Sequence, residues 1–229
     1  GIPNGKTQVI YNGFYPDELL GLSDETSQLI DHLKLYDADL IALMPVRITK
    51  AKNIEFAMQI AESLKTKNYD LQIILTGPPD PHDPDNMAYF EELKRLRKKI
   101  GVENNFTFLY QENPMSDKPY ILDMSVVADL YRVSDIVLMT SHHEGFGMPV
   151  IEAGFSGKPV FSTNIPAVEE IGGEEIHKFS LNKGPVQNAN YILDWANSDP
   201  VHLMRVRTRQ NYSWQKIFNK KIQPLLIGK

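Results

Sequence analysis

Asp135-Ile-Val-Leu-Met-Thr140 runs, four residues on, into Glu144-Gly-Phe-Gly-Met-Pro-Val-Ile-Glu152. The apolar run reads as a buried strand. Pro149, with its fixed φ and no N–H, suits the first position of a helix. The order is therefore strand, glycine-bearing loop and helix start, with Glu144 in the loop and Glu152 in the first turn. In an open parallel sheet that place is the carboxyl edge of the strands, where ligands bind. The free N–H groups of a helix start favour an anion. Gly145 and Gly147, lacking Cβ, let a ligand approach the backbone closely. A Glu in a first turn also complements the helix dipole with no ligand at all, and a Gly-x-Gly loop is weak by itself. Spacing alone leaves both readings open.

The 229 residues permit one large domain or two small ones. Hydrophobic residues make up 42% of the chain, enough for a substantial core, and the net charge of −5 speaks against a nucleic-acid binder driven by bulk charge. Without cysteine there are no disulfides and no thiolate metal sites. No apolar run approaches the roughly 18–20 residues of a membrane span. The chain opens Gly1-Ile-Pro-Asn-Gly5, without Met or a signal peptide, so a fragment or processed product is expected.

Strand and helix patterns alternate along the chain. Asp39-Leu-Ile-Ala-Leu-Met-Pro-Val46, Leu71-Gln-Ile-Ile-Leu-Thr76, Phe106-Thr-Phe-Leu-Tyr110, the Asp135 run and Pro159-Val-Phe-Ser162 read as strands, with 176–179 as an edge strand. Helices are expected over about 53–67, 86–99 (stopped by Gly101), 126–133, from Pro149, and over about 185–197, 200–211 and 214–225. Repeated β–α units predict an α/β fold, a Rossmann-like doubly wound, mainly parallel sheet with helices on both faces. Flexible parts are expected at the first eight residues, 78–85 and 112–123.

The segment from Asp129 to Glu170 resembles the retaining glycosyltransferases of the GT-B fold, especially glycosyltransferase family 4. The signature of that family is a Glu, seven residues and a second Glu, then a short strand and a further Glu. Here it stands as Ser141-His-His-Glu-Gly-Phe-Gly-Met-Pro-Val-Ile-Glu-Ala-Gly-Phe-Ser-Gly-Lys-Pro-Val-Phe-Ser-Thr-Asn-Ile-Pro-Ala-Val-Glu-Glu170. Similarity runs from about Val9 to Leu226 and only to the C-terminal half of such enzymes. The resemblance implies one nucleotide-sugar (donor) binding domain over 1–229, with 1–12 as an interdomain linker and 213–229 as the closing helix. The N-terminal acceptor domain, roughly 150–200 residues by usual domain size, is absent, so the fragment alone is expected to be inactive.

Arg47 follows the first strong strand and Lys52 lies five residues on. Arg offers a planar fork for two phosphate oxygens, Lys a mobile point charge. Both are also ordinary cations among 24 Lys and Arg. Relatives carry an Arg and a Lys at these places, gripping the donor diphosphate. This chain departs from them at Val46 and Asn53, where Gly is usual, which puts the loop conformation in question. The resemblance further implies that Glu144 bonds hydroxyls of the donor sugar. Backbone around Gly145, Phe146, Gly147 and Met148 would meet sugar or phosphate, and Glu152 would accept the ribose hydroxyls. Arg47 and Lys52 would stabilise the leaving diphosphate. Glu144, Arg47 and Lys52 are thus the catalytic candidates. Glu152, Gly145, Phe146, Gly147, Met148 and Glu170 are the donor-binding candidates.

Retention of configuration, no metal and no cofactor are expected, with a UDP- or GDP-hexose as substrate. The acceptor (sugar, lipid or small molecule) would come through the other half, which is also where a cytoplasmic enzyme of this kind would touch a membrane. A nucleotide-sugar epimerase, a phosphorylase and a noncatalytic nucleotide-binding domain are the alternatives; no Lys stands out as a pyridoxal phosphate carrier. Glu170 is either a loop-orienting residue or a surface carboxylate beside Glu169. His142 and His143 read as loop residues, Tyr110 as a core or rim aromatic. Asp80-Pro-His-Asp-Pro-Asp85 reads as a stiff turn without regular metal-ligand spacing. Ser213 fits an N-cap at the start of the last helix.

Overall fold

The computed structural model describes residues 8–114 and 116–227. Residues 1–7 of the expected linker and flexible start, and residues 228–229 of the expected closing helix, lie outside them. The strands are β1 (Leu40–Met44), β2 (Leu71–Leu75), β3 (Phe106–Phe108), β4 (Ile136–Met139), β5 (Val160–Thr163) and β6 (His177–Phe179). The helices are α1 (Pro16–Leu20), α2 (Asp24–Leu33), α3 (Ile54–Lys65), α4 (Asn86–Lys99), α5 (Met124–Val133), α6 (Met148–Phe155), α7 (Pro166–Gly172), α8 (Gly184–Ser198), α9 (Pro200–Tyr212), α10 (Trp214–Ile217) and α11 (Gln223–Ile227).

Strand order is β3-β2-β1-β4-β5-β6, and every neighbouring pair is parallel. The apolar runs are continuous because both faces of the sheet are covered. In β1, Leu40, Ala42 and Met44 join the core under α3, α4 and α8, while Ile41 and Leu43 join the core under α2, α5, α6 and α7. Strands β2 and β4 alternate in the same way. Chain order reverses between β1 and β4, so the loops leaving these two strands diverge. The crevice between them is where a doubly wound sheet accepts a ligand.

The structure differs locally from the sequence reading in three places. Residues 109–111 leave the expected third strand as a 3₁₀ turn. The last helix is not one continuous α-helix: a π-helical turn at Phe218–Ile222 separates α10 from α11. Sequence reasoning passed over α1 and α2, although Ser23 caps α2 by accepting from Thr26 N–H and Asp24 and Glu25 occupy its first turn. The expected cap at Ser213 forms, accepting from Lys216 N–H.

The lower edge of the sheet is tied to α9 by charge. Asp135, with its side chain 1% exposed, accepts from Ile41 N–H and pairs with Arg205 and Arg209. Arg209 also donates to the Ala38 carbonyl. His202 is buried beside them, its ring 5.1 Å from that of Trp195. Burial, offset in part by Asp135, lowers its pKa from the ordinary 6.5. Below that value the unfolded chain gains a proton that the folded protein resists. This contribution to stability is therefore complete above pH 6.5 and is lost as pH falls toward the lowered folded value. His202→Phe is expected to flatten the decline in urea-unfolding stability between about pH 6.5 and 5; a slope equal to that of the unsubstituted protein would refute it.

Candidate functional site

The loop after β1 is laced to the loop after β2. Gly77 N–H donates to the Val46 carbonyl at 3.1 Å, and Ile48 N–H donates to Pro78 O at 3.0 Å. A Cβ on Gly77 would stand 2.2 Å from Val46 O and 2.7 Å from Arg47 Cα, both backbone, so only glycine fits this crossing. Val46 is buried, which gives its side chain a core role. Arg47 projects outward from the same loop, 59% exposed, with Nη1 3.7 Å from Asp80 Oδ1.

A 3₁₀ turn (Lys50–Lys52) leads to Asn53, whose φ of 48° is left-handed. Asn tolerates that conformation better than other residues with a Cβ, so the departure from Gly at 53 leaves the turn intact. Strand β4 holds the turn from the other side. Thr140 Oγ1 lies 2.9 Å from the carbonyl oxygens of both Lys52 and Asn53, and His142 N–H donates to Ala51 O at 2.8 Å. The carboxyl ends of β1 and β4 are thereby locked together across the reversal of strand order.

This lock brings Lys52 to Glu144. Lys52 Nζ donates to Glu144 Oε2 at 2.6 Å, and Ser141 Oγ donates to Glu144 Oε1 at 2.6 Å. The two side chains are 19% and 7% exposed. Ser141 is positioned by Thr163 Oγ1, which donates to its carbonyl at 2.6 Å from the end of β5. Each oxygen of Glu144 keeps acceptor capacity beyond these bonds.

Helix α6 starts at Met148, one residue before the expected Pro149, and Gly147 precedes it at φ 92°. That φ, rather than lack of space, calls for glycine. Gly145 differs: an added Cβ there meets nothing within 4 Å. Phe146 and Met148 are 60% and 50% exposed on the rim. Glu152 lies one turn into α6, where Tyr131 of α5 donates its hydroxyl to Oε2 at 2.6 Å. Burial first, and the bond to Glu152 next, hold the Tyr131 pKa well above its ordinary value, so the hydroxyl remains a donor. Glu170 is exposed on α7, the helix whose Ile171 backs Gly147; its neighbour Glu169 pairs with Lys178.

The structure thus joins Lys52 to Glu144 directly and sets Arg47 earlier on the same β1–α3 loop that bears Lys52. Gly145, Phe146, Gly147 and Met148 line the approach to α6, while Glu152 sits deeper and Glu170 stands off on the surface. Tyr110 is half-buried against Phe90. Sequence reasoning missed Thr140, Ser141, Thr163, Tyr131 and Gly77 as parts of this arrangement. Ser141 and Thr140, polar residues ending an apolar strand, carried a faint signal; Tyr131 carried none. Among the described residues, no group of three or more His, Cys, Asp or Glu is placed to hold a metal ion. Nor is any helix among them long and apolar enough to cross a membrane.

A doubly wound parallel domain with a glycine-bearing loop and a largely buried Lys–Glu pair at its switch point has the architecture of the α/β domains whose ligands sit at the carboxyl edge of the sheet. More particularly, the chain belongs to the family described as glycosyl transferases group 1, whose pattern matches residues 26–213. It is 25% identical to an uncharacterized glycosyltransferase of Methanocaldococcus jannaschii over 99% of the chain and 55% of that relative. It is 28% identical to D-inositol 3-phosphate glycosyltransferase of Rhodococcus opacus over 63% of the chain and 31% of that protein. The chain therefore spans about half or less of these curated relatives.

Among solved structures, the C-terminal domain of a glycosyl transferase group 1 family protein (LpcC) from Francisella tularensis aligns with 91% of the chain and 95% of that domain. The TM-score is 0.57 at 26% identity. Anabaena HepE, solved in complex with UDP and glucose, aligns over 97% of the chain and 57% of its own length, with TM-score 0.60 at 21% identity. The second likeness establishes the fold alone, which is that of the C-terminal half of GT-B glycosyltransferases.

Proposed function

We propose that this chain is the donor-binding domain of a retaining, family 4 glycosyltransferase that moves a hexose from a UDP- or GDP-sugar to an acceptor hydroxyl. The observation that carries the reading is the Lys52–Glu144 pair, held by Thr140 and Ser141 at the divergence of β1 and β4. A cation and a hydroxyl-accepting carboxylate on adjoining loops match the two ends of the bond to be broken, diphosphate and sugar. HepE, of the same fold, was solved with UDP and glucose, which supports a nucleotide sugar here.

In this reading the bond from the anomeric carbon to the diphosphate oxygen breaks, and the acceptor oxygen bonds to that carbon on the same face. The acceptor proton passes to the departing phosphate. Lys52 and Arg47 stabilise the charge that develops on the diphosphate. Glu144 orients the sugar through its hydroxyls, and Glu152 takes the ribose. The acceptor site and any membrane contact belong to the half of the enzyme outside this chain, and the setting is cytoplasmic.

Calorimetric titration of this chain with UDP, GDP and ADP, without and then with magnesium, tests the proposal. Binding of UDP or GDP in preference to the other two nucleotides, unchanged by the metal, is the expected result; a folded chain and a folded full-length protein that both bind none would overturn it. Arg47→Ala is expected to weaken diphosphates by about 1–2 kcal/mol, an ion-bonded value discounted for exposure, and to leave nucleosides almost unaffected. Equal loss for both classes would remove Arg47 from the phosphate site.

A further inference from the structure

Tyr131 is 3% exposed, yet its hydroxyl reaches a partly open carboxylate on another helix. Helices α5 and α6 lie on the same face of the sheet, and Leu130, Tyr131, Val150 and Ala153 share one core there. The ring of Tyr131 is therefore fixed by packing, and its hydroxyl has a fixed place. A Glu on a helix surface otherwise samples several rotamers, each lost in part when a ligand is bound. We infer that Tyr131 is a positioning residue for the proposed donor site: it holds Glu152 in one rotamer, so that the carboxylate faces the ribose ready-made. The inference rests on the reading of Glu152 as the ribose contact.

The bond from Tyr131 engages Oε2 and leaves Oε1, together with a second acceptor direction on Oε2. Two vicinal hydroxyls can then be met without any other group moving. Because the Tyr131 hydroxyl stays protonated, it keeps donating to Glu152 and adds no second negative charge beside the carboxylate. A deoxyribose would leave one prepared acceptor direction unfilled. The site is thus built to prefer ribonucleotides over deoxyribonucleotides, and that preference is the signature of the positioning.

The test compares Kd for UDP and 2′-deoxy-UDP, and for GDP and 2′-deoxy-GDP, on this chain and on its Tyr131→Phe and Glu152→Ala variants, with inorganic pyrophosphate as the phosphate-only control. Phe keeps the ring and its packing, and a melting curve checks the fold. The unsubstituted chain is expected to prefer the ribonucleotide about tenfold, the scale of one bond to a charged acceptor. Tyr131→Phe is expected to shrink that ratio to about threefold or less while pyrophosphate binding stays constant. A merely structural role would lower the affinities for ribonucleotide, deoxyribonucleotide and pyrophosphate together and leave the ratio intact. If Glu152→Ala abolishes the preference while Tyr131→Phe retains or increases it, the positioning role is overturned and the ribose reading stands. If Glu152→Ala retains the preference, the ribose reading itself falls, and the inference with it.

Discussion

Lys52→Met is expected to lower the stability of the folded chain by about 2 kcal/mol and to abolish most of its affinity for nucleoside diphosphates. Removing one member of a fully buried ion pair costs about 3–5 kcal/mol, because the remaining charge has lost its partner. Glu144 is nearly buried and Lys52 about a fifth exposed, and Ser141 continues to donate to Glu144, so the cost here falls below that range. Glu144→Leu added to Lys52→Met removes the stranded carboxylate. The double variant is expected to regain most of the lost stability, since apolar replacement of a buried pair is often neutral, yet to remain unable to bind. Urea unfolding and calorimetry on the same samples separate the two effects. Unaltered stability in the single variant would mean that solvent screens the pair. Retained diphosphate affinity would place Lys52 outside the site.

Gly77→Ala is expected to destabilise the fold by about 3 kcal/mol, the upper part of the usual range for overpacking. The atoms its Cβ would strike, Val46 O and C and Arg47 Cα, are backbone and have no rotamer by which to yield. The strain must instead displace the loop after β1, which also bears Arg47. Diphosphate affinity is therefore expected to fall more than nucleoside affinity. Gly145→Ala supplies the contrast. With no atom within 4 Å of the added carbon, its melting temperature is expected to stay close to that of the unsubstituted chain, the usual result for a surface change. Coincident melting curves for Gly77→Ala and the unsubstituted chain would show that the crossing of the two loops is loose.

The two carboxylates eight residues apart, and the Arg and Lys after the first strong strand, were legible as candidates because residue type and spacing are local properties. Their partners were not. Nothing near Glu144 in the chain announces that Lys52, 92 positions away, donates to it, and nothing in α5 marks Tyr131 as the donor to Glu152. Val46 and Asn53 looked like departures that endangered the loop. Packing makes Val46 a core residue, and the left-handed tolerance of Asn at φ 48° keeps the turn. The two glycines of the motif looked alike, and only backbone geometry separates Gly147, at φ 92°, from Gly145 in open space.

Apolar runs that alternate with amphipathic helices were enough for a doubly wound parallel sheet. Burial on both faces leaves few other solutions for such a pattern, and right-handed β–α–β connections leave fewer still. The strand order β3-β2-β1-β4-β5-β6 lay beyond the pattern, because it depends on pairings between segments distant in the chain. That order places the loops after β1 and β4 side by side, and hydrogen bonds from Thr140 and His142 close the distance between them. Local chemistry supplied the groups, and long-range packing chose which of them meet.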